Sequence, residues 1–204
     1  MNLLAHAWLS GRNEGYLIGN FIGDFVKGDP TAARHELLPV EIDGIRIHRA
    51  IDAFTDSHAE VQAVRTLLYP RCHKYAGVAV DVFFDHFLAV QFREVTGDNL
   101  DEFVGYVYNL LQVRSDRLPP SAARMAHYMM EQDWLRNYQT TAGIDRALSG
   151  LSRRTQFPSG LETAVQDLVI HYDTINLHFL RFWPELAAHI RATISGLGGG
   201  EKRE

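Results

Sequence analysis

Apolar residues recur along most of the chain at spacings of three and four, and alternating runs of β-branched residues are nearly absent. A period near 3.6 residues places apolar side chains on one face of a helix, whereas a strand requires a period of two. The pattern therefore predicts an all-α fold, a single-domain helical bundle. No internal repeat or linker divides the chain. We place the domain at residues 1–194 and a flexible, Gly-rich, charged tail at 195–204.

Breakers and capping residues set the predicted helix boundaries. The predicted helices span residues 16–27, 39–55, 75–95, 99–113, 121–132 and 161–194. The first is mostly apolar, so it would place Asp24 in a buried segment. The third is apolar on nearly every side, which is typical of a central helix surrounded by others. Pro184 is expected to kink or divide the last one.

Charge and composition narrow the class of function. The 204 residues carry 20 Lys and Arg against 25 Asp and Glu, a formal net charge of -5, so a nucleic acid partner is not indicated. The single cysteine excludes an intramolecular disulfide and favours a reducing cytoplasm. No apolar stretch is long enough to span a membrane or to direct secretion. We therefore expect a cytoplasmic protein with no membrane partner.

Two pairs of polar residues interrupt the predicted apolar helices at a spacing that suits a shared ligand. His48 and Asp52 are four residues apart, as are Asp81 and Asp85. Residues at this spacing lie one above the other on a helix, so each pair can point at one centre. Carboxylates this close in an apolar helix repel each other unless a cation lies between them. The sequence therefore predicts a buried cation.

Three further residues extend this predicted metal site. His6 and Asp24 lie in apolar helical surroundings. His86 is turned about 100° around the helix from Asp85, so it would lie at the edge of the site that the carboxylate pair defines. Oxygen ligands with some imidazole favour Mn²⁺, Mg²⁺ or Fe²⁺ over a thiolate zinc site. Such an ion would polarise a phosphoryl oxygen and acidify an attacking water. Phosphomonoester or phosphodiester hydrolysis fits this chemistry.

Basic residues near these segments are candidate phosphate ligands, because one guanidinium group can donate two parallel hydrogen bonds to two phosphate oxygens. They are Lys27, Arg46, Arg49, Arg153 and Arg154. The last two could equally be a solvated pair at a helix end. The alternative for Asp24, which we favour less, is that it caps a neighbouring helix or pairs with Lys27.

Five motifs follow one another in the chain: MNLLAH, GNFIGDFVKG, GIRIHRAIDAFTD, DVFFDHFL and SRR. Together they resemble one known family, the acyl carrier protein phosphodiesterases. The resemblance runs through nearly the whole chain, and most of its specificity lies in the first 90 residues. It implies a helical fold distantly similar to the HD-domain phosphohydrolases.

The resemblance also implies an activity and a ligand set. The chain would be a Mn²⁺- or Mg²⁺-dependent hydrolase that releases 4′-phosphopantetheine from holo-acyl carrier protein and leaves the apo-protein. The metal positions that it implies are His6, Asp24, His48, Asp52, Asp81, Asp85 and His86. The catalytic positions among them are Asp24, His48, Asp52, Asp85 and His86. We expect Mn²⁺, with Mg²⁺ or Fe²⁺ as alternatives.

Two other functions remain open at this point. An HD-type nucleotide or alarmone phosphohydrolase would use similar metals on a small substrate. A non-catalytic helical module that binds the carrier protein would use its polar cluster only for structure.

Overall fold

The computed structural model describes residues 1–198, which are helical and contain no strand. In chain order the α-helices are α1 (Leu3–Leu9), α2 (Glu14–Phe21), α3 (Pro39–Ser57), α4 (Ala59–Cys72), α5 (Ala76–Val90), α6 (Phe92–Thr96), α7 (Leu100–Val113), α8 (Pro120–Glu131), α9 (Trp134–Asn137), α10 (Thr141–Ser152), α11 (Val165–Ile170) and α12 (Tyr172–Gly198). This confirms the predicted all-α class. None of the described helices combines the length and apolarity needed to cross a membrane.

Helix α5 forms the centre of the core, as its apolar sequence predicts. Phe84 and Phe87 are fully buried. Phe84 packs against Phe179 and Phe182 of α12, with ring centroids 5.7 and 5.3 Å apart. Aromatic pairs at these distances add to the stabilisation from burial. Because α5 is enclosed, any polar residue on it must find its partners inside the protein.

Helices α2 and α3 approach each other closely through two glycines. A methyl group on Gly44 would lie 2.8 Å from the Cα of Gly19 and 2.4 Å from the backbone oxygen of Tyr16. A methyl group on Gly19 would lie 2.0 Å from the backbone oxygen of Glu41. Only glycine permits this separation, which brings the end of α2 against the middle of α3.

The helix boundaries differ from the predictions at several places. The predicted helix at 75–95 is divided at Gln91 into α5, which ends at Val90, and α6, which begins at Phe92. Helix α2 ends at Phe21, and a 3-10 turn over Gly23–Phe25 follows, so Asp24 is exposed rather than buried in a helix. The predicted helix at 161–194 is interrupted before Tyr172. Helix α12 then runs through Pro184 without a break, so the predicted division there is wrong. It continues to Gly198, and residues 199–204 of the predicted tail lie outside the described residues.

The one cysteine of the chain ends helix α4 inside the core. Cys72 is fully buried and unpaired. Burial, which disfavours the thiolate, raises the pKa of its thiol to about 11.

Candidate active site

Helices α1 and α3 bring two histidines and a carboxylate to one point. His6 lies on α1, and His48 and Asp52 lie one turn apart on α3. Asp52 Oδ1 is 3.2 Å from His6 Nε2, and its Oδ2 is 3.1 Å from His48 Nε2. One ligand atom from each residue lies within 4.8 Å of the others. These three residues form what we call the His–Asp cluster.

Asp24 reaches the same cluster from the 3-10 turn that follows α2. Its Oδ1 is 3.5 Å from His48 Nε2, and its side chain is 83% exposed, so it lies on the solvent side. Gly23 allows the turn to approach, because a methyl group there would lie 2.4 Å from the Cγ of His48. The structure thus brings together the predicted residues His6, Asp24, His48 and Asp52.

Asn20 on α2 holds both imidazole rings in one orientation. Its amide nitrogen donates to the backbone oxygen of His6 at 2.9 Å and to Ser10 Oγ at 2.8 Å. This turns the amide oxygen towards the rings, 2.8 Å from His6 Nδ1 and 3.2 Å from His48 Nδ1. An amide oxygen only accepts, so each Nδ1 carries a hydrogen and each Nε2 faces the carboxylates. Partners of this kind orient histidine ligands in metal sites.

The electrostatics of the cluster favour a positive charge between its atoms. Burial opposes the charged form of His48, but hydrogen bonds and charges from Asp24 and Asp52 outweigh it and raise the pKa of His48 to about 9. Burial also opposes ionisation of Asp52, yet His48 and His6 hold the pKa of Asp52 well below its ordinary value. The two Nε2 atoms and the carboxylate oxygens therefore fit a shared proton or a divalent cation with mixed nitrogen and oxygen ligands.

Replacing Asn20 by alanine should lower the affinity of the cluster for Mn²⁺ by about 10- to 100-fold, the usual cost of losing an outer partner of a histidine ligand. Isothermal titration calorimetry of both proteins measures the change. Asn13→Ala is the matched control, because Asn13 caps the same helix without contacting a histidine. Equal Mn²⁺ affinity in Asn20→Ala and the wild type would contradict the orienting role.

The acidic residues of α5 lie outside the His–Asp cluster and have other partners. Asp85 is fully buried and accepts hydrogen bonds from the backbone nitrogens of Asn2, Leu4 and Ala5 at 3.1, 2.7 and 3.4 Å. It therefore caps the first turn of α1, where the backbone amides lack partners within the helix. Asp81 Oδ1 accepts a hydrogen bond from the Met1 amino group at 2.7 Å. Both carboxylates thus serve the N-terminal end of α1, which departs from the predicted ligand set.

His86, the third predicted ligand on α5, is also occupied elsewhere. Its Nδ1 is 2.7 Å from the backbone oxygen of Tyr138, and its Nε2 is 3.1 Å from the hydroxyl of Tyr172. A carbonyl oxygen accepts, so Nδ1 donates and Nε2 receives the tyrosine hydroxyl. Burial lowers the pKa of His86, which keeps the ring neutral. Neither ring nitrogen is left for a metal.

A pocket of about 810 Å³ opens beside the cluster. One part of its lining includes the cluster, Asp24 and the predicted ligand Asp81, and another includes residues from α8 to α10 and the segment after it. Arg153 and Arg154, both predicted to contact phosphate, line this second part together with Arg146. The three arginines bring positive charge to a pocket whose first part carries several carboxylates.

The other predicted phosphate ligands do not line this pocket. Arg46 pairs with Asp43 at 2.6 Å on the exposed side of α3. Arg49 donates to the backbone oxygen of Gly28 at 2.7 Å, and Lys27 is exposed in the same segment. None of these three side chains lies on the side of the pocket that His48 lines. We therefore leave them out of the proposed phosphate site.

Three residues of the site were missed by the sequence reasoning. A signal existed for Asn20, because an amide interrupts the apolar segment LIGNFIG. Arg146 is one helical turn before Gly150 on α10, and Arg153 and Arg154 follow about one turn after Gly150. This spacing could have shown that the three arginines lie on the same side of the helix. Ser10 gives no comparable signal.

The chain matches the family described as acyl carrier protein phosphodiesterase over residues 1–186. The "Acyl carrier protein phosphodiesterase" of Klebsiella pneumoniae (strain 342) is 36% identical over 188 residues, which cover 91% of this chain and 95% of the relative. The protein of the same name from Salmonella agona (strain SL483) is 32% identical over 189 residues, which cover 92% of this chain and 96% of the relative. No solved structure matches the chain. The matches confirm the resemblance noted in the sequence motifs, and the chain belongs to the acyl carrier protein phosphodiesterase family.

Proposed function

We propose that this protein is a metal-dependent phosphodiesterase that removes 4′-phosphopantetheine from holo-acyl carrier protein. The observation that carries the proposal is one pocket lined both by the His–Asp cluster and by three arginines. A ligand set beside positive side chains suits a phosphodiester, whose charge needs neutralising during attack. The names of the relatives support the choice of substrate.

The residues that would hold the cation are His6, His48 and Asp52, with Asp24 closest to them on the solvent side. Their donor atoms are imidazole nitrogen and carboxylate oxygen, which suit Mn²⁺ first and Mg²⁺ or Fe²⁺ as alternatives. When bound, the ion would supply Lewis acidity that polarises the phosphoryl group and acidifies the attacking water.

The protein's own groups perform the remaining tasks of the reaction. Arg146, Arg153 and Arg154 would neutralise and orient the phosphate oxygens. Asp24 would orient the attacking water, since hydrogen bonding to His48 lowers the pKa of Asp24 and leaves it an ionised acceptor. The water oxygen bonds to phosphorus and loses one proton, the bond between phosphorus and the serine oxygen breaks, and the serine oxygen takes up one proton, so that one water is consumed for each 4′-phosphopantetheine released.

Mass spectrometry of the carrier protein tests the proposal. Incubation of holo-carrier protein with the purified enzyme and Mn²⁺ should convert it to the lighter apo-protein and release 4′-phosphopantetheine. The reaction should stop with a chelator and resume when Mn²⁺ is added back. An unchanged carrier mass with Mn²⁺, Mg²⁺ and Fe²⁺ would reject the proposal. Phosphate released from nucleotides by the same sample would then favour a nucleotide phosphohydrolase.

Metal binding should release a proton, because the pKa of His48 is raised to about 9 and its imidazole is charged at neutral pH. A metal ion takes the Nε2 position of that proton, so affinity should rise about tenfold per pH unit between pH 6 and 8. Calorimetry in two buffers with different ionisation enthalpies measures the number of protons released. His127→Ala, which removes an exposed histidine far along α8, should keep the same slope. A pH-independent affinity would show that the proton and the metal do not compete.

A further inference from the structure

The active-site pocket has far more room than a phosphate group fills. The part of its wall formed by α8 and α10 is mostly apolar and includes Tyr128, Met129, Ala147 and Leu151. A wall of this kind excludes water from apolar parts of a ligand. The pocket therefore suits a phosphate ester with a long, partly apolar substituent.

Gly150 lies on this wall in the last turn of α10. Packing does not require it: a methyl group on Gly150 would meet only Arg153 Nη2, at 3.8 Å. Gly143 on the same helix is different, because a methyl group there would lie 1.9 Å from the backbone oxygen of Asn137. The missing side chain at Gly150 thus leaves space in the pocket rather than between helices.

We propose that the α8–α10 wall is the binding subsite for the pantetheine arm of the substrate, and that Gly150 sets the width available to that arm. This inference rests on the proposed function. The reaction breaks the bond between phosphorus and the serine oxygen, so the arm stays attached to the phosphate throughout. While the phosphate lies at the cluster and the arginines, the arm must extend along the pocket. Met129 and Leu151 supply contacts for its apolar part.

A side chain at Gly150 provides the test. Gly150→Leu should raise KM for holo-carrier protein by about tenfold or more, because overfilling a packed site costs roughly that much in binding. The Mn²⁺ affinity should change little, since the cluster is untouched. The inhibition constant of free 4′-phosphopantetheine should rise by a similar factor. Gly150→Ala should give a smaller effect and keep or increase the melting temperature.

Gly105→Leu is the matched control. Gly105 lies in the interior of α7, and a methyl group there would meet only Arg136 Nη2, at 3.9 Å. At both positions a methyl group would meet only the end of an arginine side chain, but Gly105 does not line the pocket. KM for holo-carrier protein should stay at the wild-type value in Gly105→Leu.

The outcomes separate the two proposals. If the wild type releases no 4′-phosphopantetheine, the proposed function fails, and the arm subsite fails with it. If the wild type is active and Gly150→Leu keeps the wild-type KM and inhibition constant, only the arm subsite is rejected. A loss of turnover and of Mn²⁺ affinity in Gly150→Ala would also reject it, because the residue would then act on the cluster. If Gly150→Leu does not fold, Gly150→Ala is compared with the wild type instead. Unchanged KM and inhibition constant in Gly150→Ala would then reject the arm subsite.

Discussion

Replacement of Asp52 by asparagine is expected to lower kcat/KM for holo-carrier protein by about a thousandfold, the loss of several kcal/mol of transition-state stabilisation. Asp52 is the one residue whose two oxygens contact both histidines, at 3.2 Å from His6 Nε2 and 3.1 Å from His48 Nε2. An amide removes the charge and turns an N–H group towards one of these nitrogens. Time courses of apo-protein formation measure the rate, and calorimetry should show loss of Mn²⁺ binding.

The control for this effect lies on the same helix. Asp43 pairs with the exposed Arg46 and does not line the pocket, so Asp43→Asn removes the same charge at a place away from the His–Asp cluster. Its kcat/KM should stay within about twofold of the wild type. Wild-type activity in Asp52→Asn would move the reaction away from the His–Asp cluster.

The second large effect concerns stability. Asp85→Ala should lower the free energy of unfolding by about 3 kcal/mol, because it leaves buried backbone amides without an acceptor. The carboxylate accepts from Asn2, Leu4 and Ala5, and α1 carries His6 shortly after them. Mn²⁺ affinity should fall together with stability, since α1 would no longer be fixed. Denaturant unfolding and calorimetry measure the two quantities.

Asp101→Ala is the control for this change. Asp101 on α7 pairs with Arg136 through a side chain that is 79% exposed, so its loss should cost less than about 1 kcal/mol. Unchanged stability of Asp85→Ala with complete loss of Mn²⁺ would contradict the capping role and would restore Asp85 as a metal ligand.

Local chemistry made much of the fold predictable. Pro39 begins α3 and Asn99 caps α7, as their positions in the sequence suggest. The division predicted as one outcome at Pro184 does not occur, because a helix can continue through a proline where the one hydrogen bond that the proline removes is replaced. Pro184 is exposed, and Leu180, whose carbonyl loses that partner, is 40% exposed, so water can replace the bond.

The sequence predicted the parts of the site whose residues are close together in the chain, and it missed the contacts between residues that are far apart in the chain. His48 and Asp52 were identified as a pair because four residues make one helical turn. Asp81 and Asp85 have the same spacing, but Asp85 accepts hydrogen bonds from backbone amides that lie 80 to 83 positions away in the chain. A cap contributed by a different helix leaves no trace in local sequence. Asn20 does leave a local signal, the amide within LIGNFIG, but its partners come from α1 and α3 and could not be identified from that segment.

The burial of Cys72 has a practical consequence for enzymology. Its thiol is enclosed in the core, and its pKa of about 11 leaves almost no thiolate at neutral pH. Maleimides and disulfide reagents should therefore leave the native enzyme untouched. The pantetheine arm ends in a free thiol, so a fluorescent label can be placed on the substrate, or on the released product, in the enzyme's presence without background.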